Sequence, residues 1–324
     1  MSDRKGPRSG KIPGKPLESL PALQSSDQVI AVLCSDLHLS LQKPSCRAED
    51  DWLEVQRAYL KQLSDLVPAW DVPVIAAGDI FDRWNAPAEL INFCIDHLPE
   101  MWAVPGQHDL PFHSYGEWER SGLCTLAKIG KVKLLGDVPV DFLLPAGCKN
   151  RVLLVYGFGW EKPICPPIPH TEAIHLAVCH RYVWSNPRNS YPDAPESGKL
   201  QLIAKEFKGY DMVLMGDNHK TISAPFNPRF FNPGTFMRRK ADEIDHKPCV
   251  GLLKVDGSIE MKYLDVSGDK FVQAEEVKQD FGEFVDRLQE MGECGLSFEE
   301  AVQRAMADGK ASEGAKRTIL EAIQ

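Results

Sequence analysis

The chain has 324 residues, 43% of them hydrophobic and 26% charged, with 24 Gly, 24 Pro and a formal net charge of −9 at pH 7. That is room for one large domain and an appendage, or for two domains, in an ordinary loop-rich globular composition. The acidic balance argues against a generic nucleic-acid coat, which is usually basic, and no apolar run approaches the roughly 18 residues of a membrane span.

Residues 1–27 are rich in Lys, Arg, Gly, Pro and Ser and read as a disordered basic tail without the apolar core of a signal peptide. Order begins at Gln28–Cys34, an apolar strand running into Ser35-Asp36-Leu37-His38. Residues two apart in extended chain point the same way, so Asp36 and His38 can aim at one point. Ala48 to Val67 has helical spacing, with Trp52, Val55, Tyr59, Leu63 and Leu66 on one face.

Val72–Ala76 is the next buried strand and ends in Gly78-Asp79-Ile80-Phe81-Asp82, followed by a helix from about Pro87 to Leu98. Met101–Val104 is a third strand, delivering Gln107, His108 and Asp109. Strand and helix alternate here, which implies a sheet layered with helices, an α/β (α+β) arrangement. After Lys131 the texture changes to short strands, at 132–135, 138–143 and 151–156. His175–Cys179 delivers His180 and Arg181, a polar loop runs to Lys199, and Asp211–Met215 ends in Gly216-Asp217-Asn218-His219. Strands at 250–255 and 259–264 close a domain spanning 28–267. From 268 to 324 the pattern turns helical and charged, with Phe281, Phe284, Leu288 and Phe298, and reads as a small separate module.

The nine cysteines include no Cys-x-x-Cys pair and read as reduced thiols of a cytoplasmic protein. Cys34, Cys179 and Cys249 fall in apolar runs, where a thiol acts as a small buried hydrophobe.

Five strand ends therefore carry Asp36/His38, Asp79, Gln107/His108/Asp109, His180 and Asp217/His219. Open α/β sheets bind ligands at that edge, and these residue types suit borderline-hard divalent ions. A single such Asp often only caps a helix; together they point to a metal centre bridged by Asp79.

In order and spacing these motifs resemble those of the calcineurin-like metallophosphoesterase superfamily: Asp-x-His, Gly-Asp-x-x-Asp, Gly-Asn-His-Asp, a lone His and then Gly-His-x-His. The resemblance covers roughly residues 28–265. It implies a two-sheet sandwich flanked by helices and two divalent ions, Mn²⁺ first, then Mg²⁺, with Zn²⁺ or Fe²⁺ less suited. Asp36, His38, Asp79 and His219 would hold one ion, and Asp79, Gln107, His180 and Asp217 the other. His108 would be the general acid, its ring oriented by Asp109. Two positions depart from the pattern: Gln107 stands where the family has Asn, and Asp217 where it has His.

Within the superfamily, Gly78–Asp82, His108–Pro111 and Asn232–Thr235 look most like the SbcD-type DNA repair nucleases. By that resemblance the reaction is hydrolysis of DNA, single- or double-stranded. The partners would be an SbcC-type coiled-coil ATPase on the C-terminal helices and a second copy of the chain, with no membrane. Arg181, Arg238 and Arg239, the last two beside Phe230, Phe231 and Phe236, would contact the phosphate backbone. Two other readings stay open: a nucleotide or small-molecule phosphoesterase, favoured by the acidic charge, and a non-catalytic scaffold, favoured by the two departures.

Overall fold

The computed structural model describes residues 28–67, 72–145, 148–191 and 193–272. The basic tail and residues 273–324 of the expected helical module lie outside the described residues.

Two six-stranded sheets face each other. The first runs β12 (Ile259–Tyr263), β11 (Cys249–Lys254), β1 (Val29–Cys34), β2 (Val74–Ala76), β3 (Met101–Ala103), β4 (Val132–Leu134). The second runs β5 (Val140–Leu143), β6 (Val152–Phe158), β7 (Ala173–His180), β8 (Met212–Gly216), β10 (Arg229–Asn232), β9 (Ile222–Ala224). Strands β1 to β4 are mutually parallel, as are β6, β7, β8 and β10, while antiparallel strands flank both groups. This is the α/β sandwich that the motifs imply.

The period of two in the central strands explains the layering. In β1, Ala31 and Leu33 enter the core between the sheets, while Val32 and Cys34 face the helices outside. In β8, Met212 and Leu214 go inward, and Val213 and Met215 go out. Strands covered on both faces must be apolar at every position, which is why they appear in the sequence as continuous runs.

Helix α1 (Trp52–Asp65) starts where Asp51 accepts a hydrogen bond from the Glu54 N–H at 3.0 Å, and it buries Trp52, Gln56, Tyr59, Leu60 and Leu63. Gln56 is tolerated inside because its amide both accepts from Ser40 N and donates to Ser40 O. Helix α2 (Ala88–His97) packs Leu90, Phe93 and Cys94 against the same sheet. Two further helices, α3 (Gly122–Lys128) and the short α4 (Leu200–Ile203), and strand β9 are not marked by the patterning above. Each is too brief to set up a period of its own.

Residues 269–272, expected at the head of the helical module, are fastened to the main domain. Asp269 accepts from Arg47, Tyr59 and Arg238, and Val272 N donates to Cys46 O at 2.9 Å. Among the described residues, no helix is long and apolar enough to cross a membrane. All eight described cysteines are free, and burial pushes the Cys34 thiol up to about 12.

Candidate metal centre

The parallel strands of both sheets end at the same place, and their loops are tied together through the backbone. Asp36 N donates to Gly78 O at 3.1 Å, His38 N to Asp79 O at 2.9 Å, and Phe236 N to Asp36 O at 3.1 Å. Asp36, His38, Asp79 and Asp217 all have positive φ, at 52°, 46°, 51° and 85°. Left-handed backbone at a non-glycine residue costs on the order of 1–3 kcal/mol and persists only where the surroundings impose it.

The approach of the loops is close enough to require glycine at two positions. A Cβ on Gly78, whose φ is +92°, would stand 2.3 Å from His180 Nδ1. One on Gly106 would stand 2.1 Å from Asp79 Oδ1. The glycines thus let His180 and the Asp79 carboxylate enter the centre.

Among the described residues, three groups of His, Asp, Glu or Cys converge within 4.8 Å: Asp36/His38/His219, Asp36/Asp79/His180 and His38/Asp82/His108. Asp79 Oδ2 lies 3.7 Å from His38 Nε2 and 3.3 Å from His180 Nε2, between the first two groups. That is the position a bridging carboxylate needs. Asp36 shares in both groups and is itself held by Ser35 Oγ at 2.5 Å.

The donor atoms fit divalent metal binding. His180 directs Nδ1 at Ala77 O, 2.5 Å away, leaving its buried Nε2 with no hydrogen-bond partner. His219 donates Nδ1–H to Glu243 Oε1 at 2.8 Å, so a lone pair on Nε2 faces His38 Nε2 at only 3.1 Å. Gln107 donates Nε2–H to Asp217 Oδ1 at 2.8 Å and leaves Oε1 buried and unpartnered. Buried polar atoms are normally satisfied; an orphaned His180 Nε2 and two opposed imidazole nitrogens beside the Asp36 and Asp79 carboxylates suit a bound cation.

The electrostatics agree. Burial pushes the Asp36 carboxyl up to about 6, an effect partly offset by His180 and His219. For His180, burial acts to lower the ring's pKa, but Asp79 outweighs it and holds it well above the usual histidine range. Asp79 itself is lowered, burial notwithstanding, by His180. His38 is driven far down, by burial first and then by the Arg239 guanidinium. A buried carboxylate pair of this kind needs a cation or a proton.

Several expected residues sit elsewhere or serve otherwise. Asp109 does not orient the His108 ring: its carboxylate accepts from Ile80 N, Phe81 N and Gly106 N at 3.0–3.2 Å, clamping the Asp79 loop. The His108 ring is set by Asp82, whose carbonyl oxygen lies 2.8 Å from Nδ1. Asp217 joins neither metal group, because its carboxylate meets Gln107 and its N–H donates to Asp36 at 3.1 Å.

Arg238 is consumed by Asp269, Ile244 O and Val266 O, so it is a strut rather than a phosphate contact. Its neighbour Arg239 points the other way, onto Asp82 Oδ1 at 2.8 Å. Arg181 pairs with Glu206 at 2.8 Å on the wall of a cavity of about 420 Å³ that also includes Trp160, Lys162 and His180. Phe230, Phe231 and Phe236 are core residues, at most 2% exposed, and offer no stacking face. The turn Asn232–Thr235 is structural, with Gly234 N on Asn232 Oδ1 at 3.0 Å.

Two residues were not foreseen. Asp82 supports His108 and Arg239, and its signal was present as the second Asp of Gly-Asp-x-x-Asp. Glu243 supports His219 from 24 residues downstream, and no local pattern announces it.

A family model described as calcineurin-like phosphoesterase matches residues 31–221. Among solved structures 137 chains match. One of these has a TM-score of 0.41 at 11% identity, over 72% of this chain and 98% of its own length. A comparison with curated proteins finds no match. The family match spans β1 through the His219 loop and takes in all the clustered residues, and the chain belongs to the calcineurin-like phosphoesterase family.

Proposed function

We propose that the protein is a two-metal phosphodiesterase acting on DNA, of the SbcD-like nuclease type. The observation that supports the reading is the Asp79 carboxylate lying between the opposed Nε2 atoms of His38 and His219 on one side and the unpartnered Nε2 of His180 on the other. Asp36, His38, Asp79 and His219 would hold one ion; Asp79, His180, Asp36 and the Gln107 oxygen would hold the other, with Asp217 behind the amide. Mn²⁺ or Mg²⁺ suits this oxygen-rich set. Such a pair supplies a nucleophile from water at neutral pH and neutralises charge at phosphorus.

The chain's own residues supply the rest. With Nδ1 held on Asp82 O, the His108 ring would serve the departing oxygen from Nε2 as the general acid. Arg239, whose Nε lacks a partner, brings a cation to the edge of the centre, where a non-bridging phosphate oxygen would meet it. Arg181 and Lys162 would attract the remainder of the anionic substrate. With the nuclease reading go an SbcC-type ATPase partner for residues 273–324 and a homodimer; co-purification and light scattering test these.

A second reading, a nucleotide or small-molecule phosphoesterase, draws on the engagement of Arg238 and the burial of the three phenylalanines, which leave less basic and aromatic surface than DNA contacts would use. The deciding experiment measures Mn²⁺-dependent cleavage of single- and double-stranded DNA beside bis-p-nitrophenyl phosphate, with Asp79→Ala as control. DNA cleavage lost in the variant supports the nuclease. Turnover of the small ester alone selects the second reading.

A further inference from the structure

The loop after His108 carries an unusual pair. Phe112 and His113 both adopt left-handed backbone, with φ of 51° and 58°. For a bulky residue such a conformation is an outlier that costs free energy. Nothing in the core repays it, because the Phe112 side chain is 70% exposed. What the strained residues contact at the surface is therefore informative.

The Phe112 ring lies 5.9 Å from that of half-buried Trp84, and Arg120 covers Trp84 at 5.2 Å. Trp84 follows two residues after Asp82, whose carbonyl sets the His108 ring. His113 closes the circuit, its ring 6.3 Å from that of His108. An exposed aromatic face is therefore carried on the loop whose next residue, His113, stands by His108, the proposed general acid.

We infer that Phe112, backed by Trp84, is a stacking platform for the nucleobase of the leaving nucleoside. The inference rests on the nuclease reading and adds a specificity-determining residue to it. A flat ring presented to water at the leaving-group side suits any base, since every base offers a π face. It would register the substrate without reading its sequence. A small ester without a base gives the platform no partner.

The test compares a dinucleoside monophosphate with its counterpart whose leaving nucleoside has no base, in Mn²⁺, using the full chain. Selectivity is the ratio of the two kcat/KM values. The wild type should favour the base-bearing compound by about tenfold, within the range that one stacked base contributes. Phe112→Ala should lose that ratio and Phe112→Tyr should keep it. Phe112→Gly should also lose it while showing a Tm no lower than wild type, because glycine relieves the strained φ. Equal ratios in wild type and Phe112→Ala would overturn the platform and leave the nuclease reading intact. Cleavage of bis-p-nitrophenyl phosphate with neither dinucleotide touched would show that the nuclease reading had failed, and the platform with it.

Discussion

The two halves of the metal centre are made of similar atoms but are held in different ways. On the His38 side, His219 is fixed by Glu243, whose other oxygen is held by the Arg239 and Lys240 N–H groups and which is pulled down to about 2, its burial outweighed by the His219 bond. On the other side His180 is fixed as firmly by Ala77 O, yet the last two expected ligands, Gln107 and Asp217, bond to each other at 2.8 Å. The difference shows what the two departures from the family pattern do. A longer amide reaches a carboxylate that replaces an imidazole, and the two bond to each other while the Gln107 oxygen stays unpartnered. On the proposed reading, an ion there would draw mainly on Asp79, Asp36, His180 and the free Gln107 oxygen.

Substitutions at the shared and separate parts should break this contrast in graded steps. The largest effect belongs to Asp79→Ala, which removes the carboxylate proposed to join the two halves; metal analysis should find neither ion retained and hydrolysis at background. His108→Ala should lower kcat by about 10²–10⁴-fold, the range of a positioned acid, with both ions still present by the same analysis. Glu243→Gln keeps the shape but loses the charge that orients His219. It should weaken the ion on that side by about 10–100-fold and leave the other ion's affinity within a factor of about two, as read by calorimetric titration. The smallest effect should come from Asp217→Asn, less than about tenfold on the second ion, because that carboxylate already makes a hydrogen bond of ordinary strength to Gln107. A loss there as large as that of Asp79→Ala would contradict the contrast.

Much of the framework was legible because of where the strands lie. Strands sandwiched between layers must be apolar throughout, so each ends visibly where Asp or His begins, and that rule located Asp36, Asp79, His180 and His219. Direction within a loop was not legible. His108 and Asp109 are adjacent, yet in a tight 3-10 turn one ring faces the centre while the neighbouring carboxylate turns back onto the Asp79 loop. Arg238 and Arg239 diverge in the same way, one toward Asp269 and one toward Asp82. Basic and aromatic residues mixed along the chain looked like a nucleic-acid surface, but β10 places Phe230 and Phe231 on its two buried faces. Glu243 was beyond sequence reading because only the folded chain brings it to His219. The Phe112 outlier likewise exists only as a dihedral angle, which no residue type announces.

The central claim is that Asp79 joins two divalent ions. Electron paramagnetic resonance of the protein titrated with Mn²⁺ tests it most directly. The account predicts binding of two ions per chain and an exchange-coupled signal that is absent in Asp79→Ala. A single ion giving only the uncoupled six-line Mn²⁺ spectrum at saturation, with the same spectrum in Asp79→Ala, would contradict it.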